Sequence, residues 1–190
     1  MKKGILKKGE NVLLRDAQPS DAETYIRWME EGEWKSFDAP WEELDDSKEK
    51  IKKRFKQLFL KGKTEPRSRA IISISEDKSI GWVNRYSENE HHPVFLVGID
   101  ICEDDYLCRG LGTEALALWI DYLFDNSEVH KIGLHTYSFN PRMNKVAEKL
   151  GFVKEGVDRE IVYWNGEWLN RIRYGLLLEE WRKKDSHQLR

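Results

Sequence analysis

Residues 94–124 read VFLVGIDICEDDYLCRGLGTEALALWIDYLF, and this stretch decides the fold. Its apolar start predicts a strand over residues 94–102, and an acidic turn leads from that strand to Arg109-Gly110-Leu111-Gly112. A strongly apolar helix is predicted from Thr113 onward. Glycines at a helix start let backbone N–H groups approach a ligand, and those N–H groups have no intrahelical acceptor. Together with the helix dipole, this pattern predicts a site for phosphate or pyrophosphate.

The next part of the stretch, residues 131–152, reads KIGLHTYSFNPRMNKVAEKLGF. It predicts a strand over residues 131–137, then a helix that opens at Asn140-Pro141 and ends at Leu150-Gly151-Phe152. Arg109 and Arg142 can add charge-assisted hydrogen bonds to the anion site. The glycine turn fits neither common nucleotide motif: no P-loop sequence is present, and the two glycines come too late in the chain for a Rossmann pattern.

Composition favours one soluble domain over residues 1–190, with a core from about residue 11 to 181. The chain has 190 residues, 35% of them charged, and a net charge of -2, which argues against a dedicated nucleic-acid binder. No apolar run has the length of a membrane span, and no signal-peptide core is present. Cys102 and Cys108 are most simply interpreted as reduced thiols, so a cytoplasmic location is expected.

The remaining elements follow from hydrophobic period and turn signals. A first strand is predicted over residues 11–15, a helix from the capping box formed by Ser20 and Glu23, and a second helix capped by Ser47. Two hairpins are predicted, one over 69–75 and 80–86, the other over 153–164 and 167–178 around Asn165-Gly166. This order predicts an α/β (α+β) fold with a mixed, mostly antiparallel sheet of six to seven strands, flanked by helices. Residues 185–190 are expected to fray.

The two motifs resemble those of the GNAT superfamily of acyl-CoA-dependent N-acetyltransferases. The resemblance is carried by residues 106–115, YLCRGLGTEA, by Asn140-Pro141-Arg142 and by residues 147–152, AEKLGF. It is closest to the branch that acetylates ribosomal-protein N-termini. It implies a GNAT-like single domain with acetyl-CoA as co-substrate. The cofactor-binding residues that it implies are Ile101, Cys102, Leu107, Cys108, Arg109, Gly110, Leu111, Gly112, Thr113, Asn140 and Arg142.

The implied reaction is direct attack of a primary amine on the thioester, which requires that the ammonium lose a proton. Glu103 is the first candidate for the base and Asp100 the second. Many family members carry a tyrosine where this chain has Ala147, and the ribosomal-protein branch often has a serine where it has Met143. Tyr137 and Ser138 are therefore the candidates for protonating the thiolate, with solvent as the alternative.

An aromatic and acidic segment, residues 34–46, is the candidate acceptor-binding region. Its carboxylates can attract a cationic amine, and its rings offer cation–π faces. The alternative is that the tryptophans belong to the core and the acids to a solvated face. The acceptor-binding residues assigned from this segment are Trp34, Phe37, Asp38, Trp41 and Glu42, with Glu33, Glu43, Asp45 and Asp46 as further carboxylates.

Two acceptors compete, a protein or peptide N-terminus and a small polyamine-like amine. A non-catalytic acyl-CoA-binding or sensing module is the alternative from another class, and a nucleotide-binding protein is a second rival. Cys108 has no obvious histidine partner, which disfavours nucleophilic catalysis. His91-His92 lack further spaced ligands, so no metal is expected. Aromatic residues near the C-terminal hairpin, among them Trp164 and Trp168, are compatible with a homodimer.

Overall fold

The computed structural model describes residues 4–42, 47–61, 64–75, 78–87 and 94–188, with side chains described up to residue 183. The strands are β1 (Ile5–Lys8), β2 (Leu13–Arg15), β3 (Arg69–Ser75), β4 (Lys78–Tyr86), β5 (Phe95–Ile101), β6 (Lys131–Tyr137), β7 (Val153–Trp164) and β8 (Glu167–Leu177). The helices are α1 (Asp21–Glu30), α2 (Lys48–Phe55), α3 (Leu111–Asp125), α4 (Pro141–Leu150) and α5 (Leu178–Gln188). Short helical turns cover Glu33–Ser36, Lys56–Leu60 and Asp104–Tyr106.

The sheet is mixed and mostly antiparallel, as the sequence predicts, but it has eight strands instead of six to seven. Its strand order is β1-β2-β3-β4-β5-β6-β8-β7. Strands β5 and β6 run parallel where Phe95 pairs with Ile132, and the other pairings described are antiparallel. The strand that the sequence did not predict is β1, whose four residues, ILKK, are too few to show an alternating pattern.

Contacts group the chain into two compact units, residues 1–84 with 99–122 and residues 85–98 with 123–190. The first unit has an aromatic core centred on Trp82. The rings of Tyr25, Trp28 and Trp34 lie with centroids 5.4, 5.8 and 5.2 Å from that of Trp82. Helix α2 adds Phe55 and the turn after it adds Phe59, as the amphipathic pattern predicts.

The start of α1 differs from the predicted capping box. Ser20 has a helical backbone and makes no side-chain cap. The carboxylate of Asp21, the first residue of α1, holds the segment before the helix instead: it accepts from the backbone N–H of Gln18 at 2.7 Å and from the buried guanidinium of Arg15 at 2.6 and 2.8 Å. The predicted cap of α2 is confirmed, since the hydroxyl of Ser47 accepts from the backbone N–H of Lys50 at 3.4 Å.

In the second unit, β6 pairs along its length with β8, and β8 pairs with β7. The hairpin between β7 and β8 is confirmed: Asn165 and Gly166 both have positive φ, +50° and +85°, as a type I′ turn requires. Helix α5 continues as far as Gln188, and the expectation that the chain frays from residue 185 stays a prediction. Among the described residues no helix is long and apolar enough to cross a membrane.

Candidate active site

The predicted anion-binding turn follows β5. Cys108 and Gly110 have positive φ, +59° and +82°, and they bend the chain into the start of α3. The helix begins at Leu111, two residues before the predicted Thr113, and its first hydrogen bond runs from the N–H of Glu114 to the carbonyl of Gly110 at 3.1 Å. The N–H groups of residues 111–113 therefore lie in the first turn, where no intrahelical acceptor exists.

Space around this turn fits an anion. A Cβ atom placed on Gly110 would meet nothing within 4 Å among the described residues beyond its chain neighbours, and Gly110 is exposed. Cys108 and Arg109 are also exposed, whereas Leu107 is half-buried. These positions combine helix N–H groups with open surroundings, which is the arrangement that binds phosphate in other proteins.

Glu114 fixes the start of α3, a role that the sequence did not reveal. Its carboxylate accepts from the backbone N–H of Asn11 at 2.8 Å, from the Asn11 side-chain amide at 3.0 Å and from the N–H of Val12 at 3.3 Å. Burial alone would raise the pKa of Glu114, but these hydrogen bonds hold it below its usual value. The carboxylate is therefore ionised at neutral pH and anchors the helix to the chain entering β2.

Two cations lie beside the turn, over the ring of Tyr106. The guanidinium carbon of Arg109 is 5.5 Å from the ring centroid and the Nζ atom of Lys78 is 5.8 Å from it. Both cationic residues are exposed, and Tyr106 is half-buried. Sequence reasoning identified Arg109 but gave no role to Lys78, because Lys78 belongs to β4 and reaches the turn only through folding.

Glu103, the first base candidate, is held by α1. Its carboxylate forms an ion pair with Arg27 and accepts from the indole N–H of Trp28 at 2.8 Å. Burial tends to raise the pKa of Glu103, but the bonds from Arg27 and Trp28 outweigh it and lower that pKa. A carboxylate in this state is a weak proton acceptor.

Asp100, the second base candidate, has the opposite electrostatic environment. Removal from water raises its pKa well above the usual value, and the charge of Asp38 raises it further, although a hydrogen bond from Trp82 opposes both effects. Burial likewise raises the pKa of the neighbouring Cys102 thiol, so that thiol is protonated at neutral pH. The backbone N–H of Cys102 donates to the carbonyl of Ile80 at 2.8 Å and is already occupied within the sheet.

The aromatic and acidic segment divides into core and surface residues. Trp34 is 8% exposed, packs edge-on against Trp82 and donates its indole N–H to the carbonyl of Trp28 at 3.1 Å. Phe37 and Trp41 are half-buried, and Asp38 and Glu42 are exposed. The pKa of Asp38 is raised, mainly because the surrounding protein removes water from its carboxylate and further because Glu42 is negatively charged. Part of the Asp38 side chain is nevertheless exposed to water. Residues 43–46 lie outside the described residues.

In the second unit, Asn140 caps α4. Its side-chain oxygen accepts from the N–H of Met143 at 2.9 Å. The amide of Asn144 donates to the carbonyls of Asn140 at 2.8 Å and Tyr137 at 3.2 Å, and it accepts from the hydroxyl of Tyr174 at 2.8 Å. This network, which the sequence did not reveal, fixes the end of β6 against the start of α4. Arg142 is half-buried on the first turn of α4.

The two candidates for protonating the leaving group lie at the end of β6. The hydroxyl of Ser138 accepts from the N–H of Asn170 at 3.1 Å, and the N–H of Ser138 donates to the carbonyl of Asn170 at 2.9 Å. Ser138 is exposed and Tyr137 is half-buried against Phe139. Ala147, which stands where many relatives have tyrosine, is fully buried.

No metal-binding group is evident within the described parts of the chain. Three or more His, Cys, Asp or Glu side chains do not converge anywhere in those parts. His91-His92 lie outside the described residues, so the expectation that they do not bind a metal stays a prediction.

Comparison with known proteins gives consistent matches. The family model described as acetyltransferase (GNAT) domain matches residues 11–153. The N-acetyltransferase YokL of Bacillus subtilis, encoded by the SPbeta prophage, is 25% identical over 180 residues, covering 90% of this chain and 93% of YokL. The [ribosomal protein uS5]-alanine N-acetyltransferase of Escherichia coli is 29% identical over 73 residues, which cover 38% of each chain.

Solved structures share the fold. Spermidine N-acetyltransferase from Vibrio cholerae, in complex with CoA and spermine, superposes with a TM-score of 0.77 at 22% identity, over 92% of this chain and 99% of that one. A GNAT family acetyltransferase from Bacillus anthracis gives a TM-score of 0.74 at 19% identity, over 91% of this chain and 98% of that one.

Proposed function

Because this chain belongs to the GNAT family of acetyltransferases and is an acetyl-CoA-dependent N-acetyltransferase, we propose that its acceptor is a small aliphatic amine with more than one positive charge. Acetyl-CoA supplies an activated acetyl group, and the amine takes it directly. The observation that carries the proposal is the charge arrangement around Asp100, Asp38 and Glu42.

The donor side of the proposal uses the turn before α3. The N–H groups of residues 111–113 and the neighbouring residues 107–110 would hold the diphosphate, with Arg109 adding charge. That Asn140 and Arg142 also bind the cofactor, as the resemblance implies, stays a prediction. The N–H of Cys102 is bonded to Ile80, so the pantetheine amides would have to pair with other backbone groups near Ile101 and Cys102. The residues present therefore fit the donor.

The acceptor side rests on carboxylates that repel one another. Burial and the charge of Asp38 raise the pKa of Asp100, while burial and the charge of Glu42 raise that of Asp38. A cation placed among them relieves this repulsion and restores the ionised forms. A polyamine carries several such charges on one flexible chain, so it satisfies more than one carboxylate at a time. The structural neighbour from Vibrio cholerae, named for spermidine, is in line with this choice.

Asp100 is the proton acceptor in this proposal. A carboxylate whose pKa is raised has a greater driving force for taking a proton from an ammonium group than one whose pKa is lowered. Glu103, which Arg27 and Trp28 hold in its ionised form, would position the segment after β5 against α1. Trp34 is buried, so in this proposal it packs against Trp82 and does not contact the acceptor. Phe37 and Trp41 are the aromatic rings of this segment that have accessible surface for a cation.

Ser138 is the proposed proton source for the leaving thiolate. Its oxygen already accepts from Asn170, which leaves its own proton to be donated elsewhere. Tyr137 is the second candidate, at the neighbouring position on the same strand end. The residues at positions 143 and 147, Met and Ala, cannot donate a proton.

A protein or peptide N-terminus is the second candidate acceptor. It is favoured by the relatives named as acting on ribosomal-protein alanine. A non-catalytic acyl-CoA sensor finds no such support, because the relatives named above are all acetyltransferases.

An acceptor screen tests the proposal. Release of free CoA thiol is measured with acetyl-CoA and each of spermidine, spermine, a monoamine and an alanine-terminated peptide. We expect turnover with the polyamines to exceed that with the monoamine by at least about tenfold, the ratio that 1.4 kcal/mol of differential binding produces. Preference for the peptide would support the second candidate, and no turnover on any amine would contradict both.

Two variants, Asp100→Asn and Glu103→Gln, test which carboxylate is the general base. We expect Asp100→Asn to lower kcat by about 10²–10⁴-fold, the usual contribution of a general base. Glu103→Gln keeps an acceptor for the Trp28 indole and should lower kcat far less. The reverse order of effects would return the base role to Glu103. Lys53→Gln, an exposed change on α2, is the control.

A further inference from the structure

We propose that the guanidinium of Arg69 and the hydroxyl of Tyr25 form a carboxylate-binding subsite, so that the acceptor is a diamino acid, an aliphatic chain with two ammonium groups and one carboxylate. This inference rests on the proposed function and narrows its class of acceptor. Arg69 is the first residue of β3 and Tyr25 lies on α1. Both residues belong to the first compact unit, together with the proposed base, Asp100.

The subsite lies on the same face of the sheet as the aromatic core. Ile71, two residues after Arg69, pairs with Trp82 across β3 and β4, so the side chains of Arg69 and Trp82 leave the sheet on one side. The ring centroid of Trp82 is 5.4 Å from that of Tyr25, and Trp82 also hydrogen-bonds to Asp100. Trp82 therefore connects the proposed base with the proposed subsite.

The guanidinium of Arg69 is half-buried and faces no carboxylate. Its carbon atom is 5.9 Å from the ring centroid of Phe59, and within the described parts of the chain it forms neither a hydrogen bond nor an ion pair. Loss of water lowers the pKa of Arg69, and the nearby Tyr25 opposes that effect. Guanidinium groups that are removed from water are normally paired with a carboxylate. An anion is the partner that Arg69 lacks.

The hydroxyl of Tyr25 is a second unsatisfied donor at the same place. Tyr25 is 4% exposed, and its ring lies with its centroid 5.3 Å from that of Phe55 and 5.4 Å from that of Phe59. Among the residues that the structure describes, no group hydrogen-bonds to this hydroxyl. Buried tyrosine hydroxyls usually have a hydrogen-bond partner, so a ligand atom is the expected partner here.

Charges of both signs act on the hydroxyl of Tyr25. Burial raises its pKa, and the cations Arg54 and Arg69 oppose that effect. The carboxylate of Asp100 acts against these cations and raises the pKa further. Tyr25 therefore lies between an anionic and a cationic part of the first unit. A ligand that spans both parts would place an ammonium group at Asp100 and an anionic group at Arg69.

The donors of the subsite select a carboxylate and exclude an amine. Arg69 only donates hydrogen bonds and carries a positive charge, so an ammonium group is repelled from it. A carboxylate accepts two parallel bonds from a guanidinium and has lone pairs left for a phenol hydroxyl. The proposed function requires two ammonium groups for the carboxylates of Asp100, Asp38 and Glu42. A molecule with these three charged groups is a diamino acid.

Three amines that differ by one group each test the inference. Cadaverine lacks only the carboxylate of lysine, and 6-aminohexanoate lacks only its α-ammonium group. We expect wild type to have a kcat/KM for lysine at least about tenfold above that for cadaverine, as for loss of a charge-assisted interaction. Calorimetry with lysine and cadaverine on enzyme saturated with coenzyme A makes the same comparison without turnover.

Variants of both donors locate the preference. Arg69→Gln should bring the ratio of kcat/KM for lysine to that for cadaverine close to one, and Arg69→Lys, which keeps the charge without the paired donors, should give an intermediate ratio. Tyr25→Phe keeps the ring contacts and should lower the ratio by about two- to tenfold, as for one hydrogen bond. Arg159→Gln, a change of an exposed arginine on β7, is the matched control and should leave the ratio unchanged.

The outcomes separate this inference from the proposed function. Equal use of lysine and cadaverine by wild type, or an unchanged ratio in Arg69→Gln, would overturn the carboxylate subsite and leave the polyamine acceptor standing. Equal use of lysine and 6-aminohexanoate would support the subsite but contradict the proposed need for a second positive charge. Turnover of an alanine-terminated peptide with none of the three amines accepted would contradict both proposals.

Discussion

Asp100 and Glu103 show how two carboxylates three residues apart in the sequence acquire different chemistry. The carboxylate of Glu103 receives a guanidinium and an indole N–H, which favour its charged form. Asp100 loses water and lies near another carboxylate, which disfavour its charged form. The sequence places Asp100 in the strand and Glu103 in the turn that follows, but it cannot distinguish their chemistry, because the partners that separate them come from α1, from β4 and from the segment after Glu33–Ser36.

Replacing Asp100 by asparagine should stabilise the fold while removing activity. The pKa of Asp100 is raised in the folded state, so the folded protein binds this proton more tightly than the unfolded chain does. Stability therefore falls as pH rises from the unfolded pKa, near 3.9, through the raised folded value. The asparagine side chain carries no charge and can still accept the hydrogen bond from Trp82.

We expect Asp100→Asn to raise Tm at pH 7 by about 2 °C or more, the change that roughly 1 kcal/mol makes in a domain of this size. The difference from wild type should shrink at acid pH. Scanning calorimetry at pH 4 and pH 7 measures it, and an equal shift at both values would contradict the electrostatic cause.

Asp21 is the opposite case, a buried carboxylate whose loss should be costly. Burial tends to raise its pKa, but Arg15, Gln18 and Ser79 lower it overall. Its stabilising contribution is therefore present above the unfolded pKa and is lost as pH falls through the lower folded value. Asp21→Asn leaves the charge of Arg15 buried without its partner, so we expect a loss of about 3–5 kcal/mol at pH 7.

Urea unfolding at pH 7 and pH 3 measures the effect of Asp21→Asn. Glu23→Gln is the control, because Glu23 pairs with Lys52 on the surface at 3.1 Å, where ion pairs contribute about 0–1 kcal/mol. If the two variants cost the same, the buried pair has no special role in holding β2 to α1.

At the scale of elements, the approach of β4 to β5 depends on Gly81. A Cβ atom at this position would overlap the carbonyl oxygen of Asp100 and lie 3.1 Å from the Cα atom of Ile101. Both are backbone atoms, so the strands must separate to admit it. We expect Gly81→Ala to cost about 1–3 kcal/mol, as for an overpacked core, and to lower kcat by displacing Asp100.

Gly112→Ala is the matched variant for that change. A Cβ atom on Gly112 would meet only side-chain atoms of Ile101 and Ile99, at 3.5 and 3.8 Å, which are ordinary contacts. Its position in the first turn of α3 favours alanine over glycine, so Tm should stay level or rise. Equal destabilisation by the two variants, measured by thermal unfolding, would refute the close approach at Gly81.

Elements with local signals were predictable from the sequence. Strand β6 and helix α4 have the predicted bounds, because Asn140-Pro141 starts the helix and Gly151, with φ of +86°, ends it. The predicted capping box at Ser20 is absent because Ser20 has a helical backbone, and the sequence does not show that Asp21 instead bonds to the N–H of Gln18 and to Arg15. Strand β1 escaped prediction because it is short and takes its place by pairing with β2.

Only the part of the candidate site that is formed by backbone groups of one local segment could be predicted from the sequence. The glycine turn has local rules, so the sequence locates it to within two residues. The partners of Glu103 are distant in sequence: Arg27 is 76 residues away and Trp28 is 75. Lys78, Glu114 and Tyr174 were missed for the same reason, since each acts on a segment that only folding brings to it.

For the whole molecule, binding of coenzyme A should raise Tm. A ligand at 100 times its Kd stabilises the folded state by about 2.7 kcal/mol, which corresponds to about 5 °C or more for a chain of this length. ATP and NAD offer a diphosphate without the pantetheine arm and should give smaller shifts. A larger shift with ATP than with coenzyme A would favour the rival interpretation, a nucleotide-binding protein.

A homodimer stays a prediction at this scale. Tyr163 and Trp168 are 60% and 59% exposed and pack against each other on the hairpin of β7 and β8, with ring centroids 5.2 Å apart. Large exposed aromatic pairs are common at interfaces between subunits. We expect light scattering to give twice the mass of 22.5 kDa, and the monomer mass in Trp168→Ser. A monomeric wild type would contradict this expectation.

The tip of that hairpin has a chemical consequence of its own. Glycine has no side chain to shield its amide nitrogen, so the nitrogen of Gly166 can attack the side-chain carbonyl of Asn165, releasing ammonia and closing a succinimide ring. Both residues are exposed, and water then opens the ring to aspartate or isoaspartate. Stored enzyme will therefore accumulate acidic forms that are altered at this turn. Asparagine tolerates the left-handed backbone of the turn better than most residues do, so its loss changes the local geometry as well as the charge. Freshly purified protein is the right reference for every measurement.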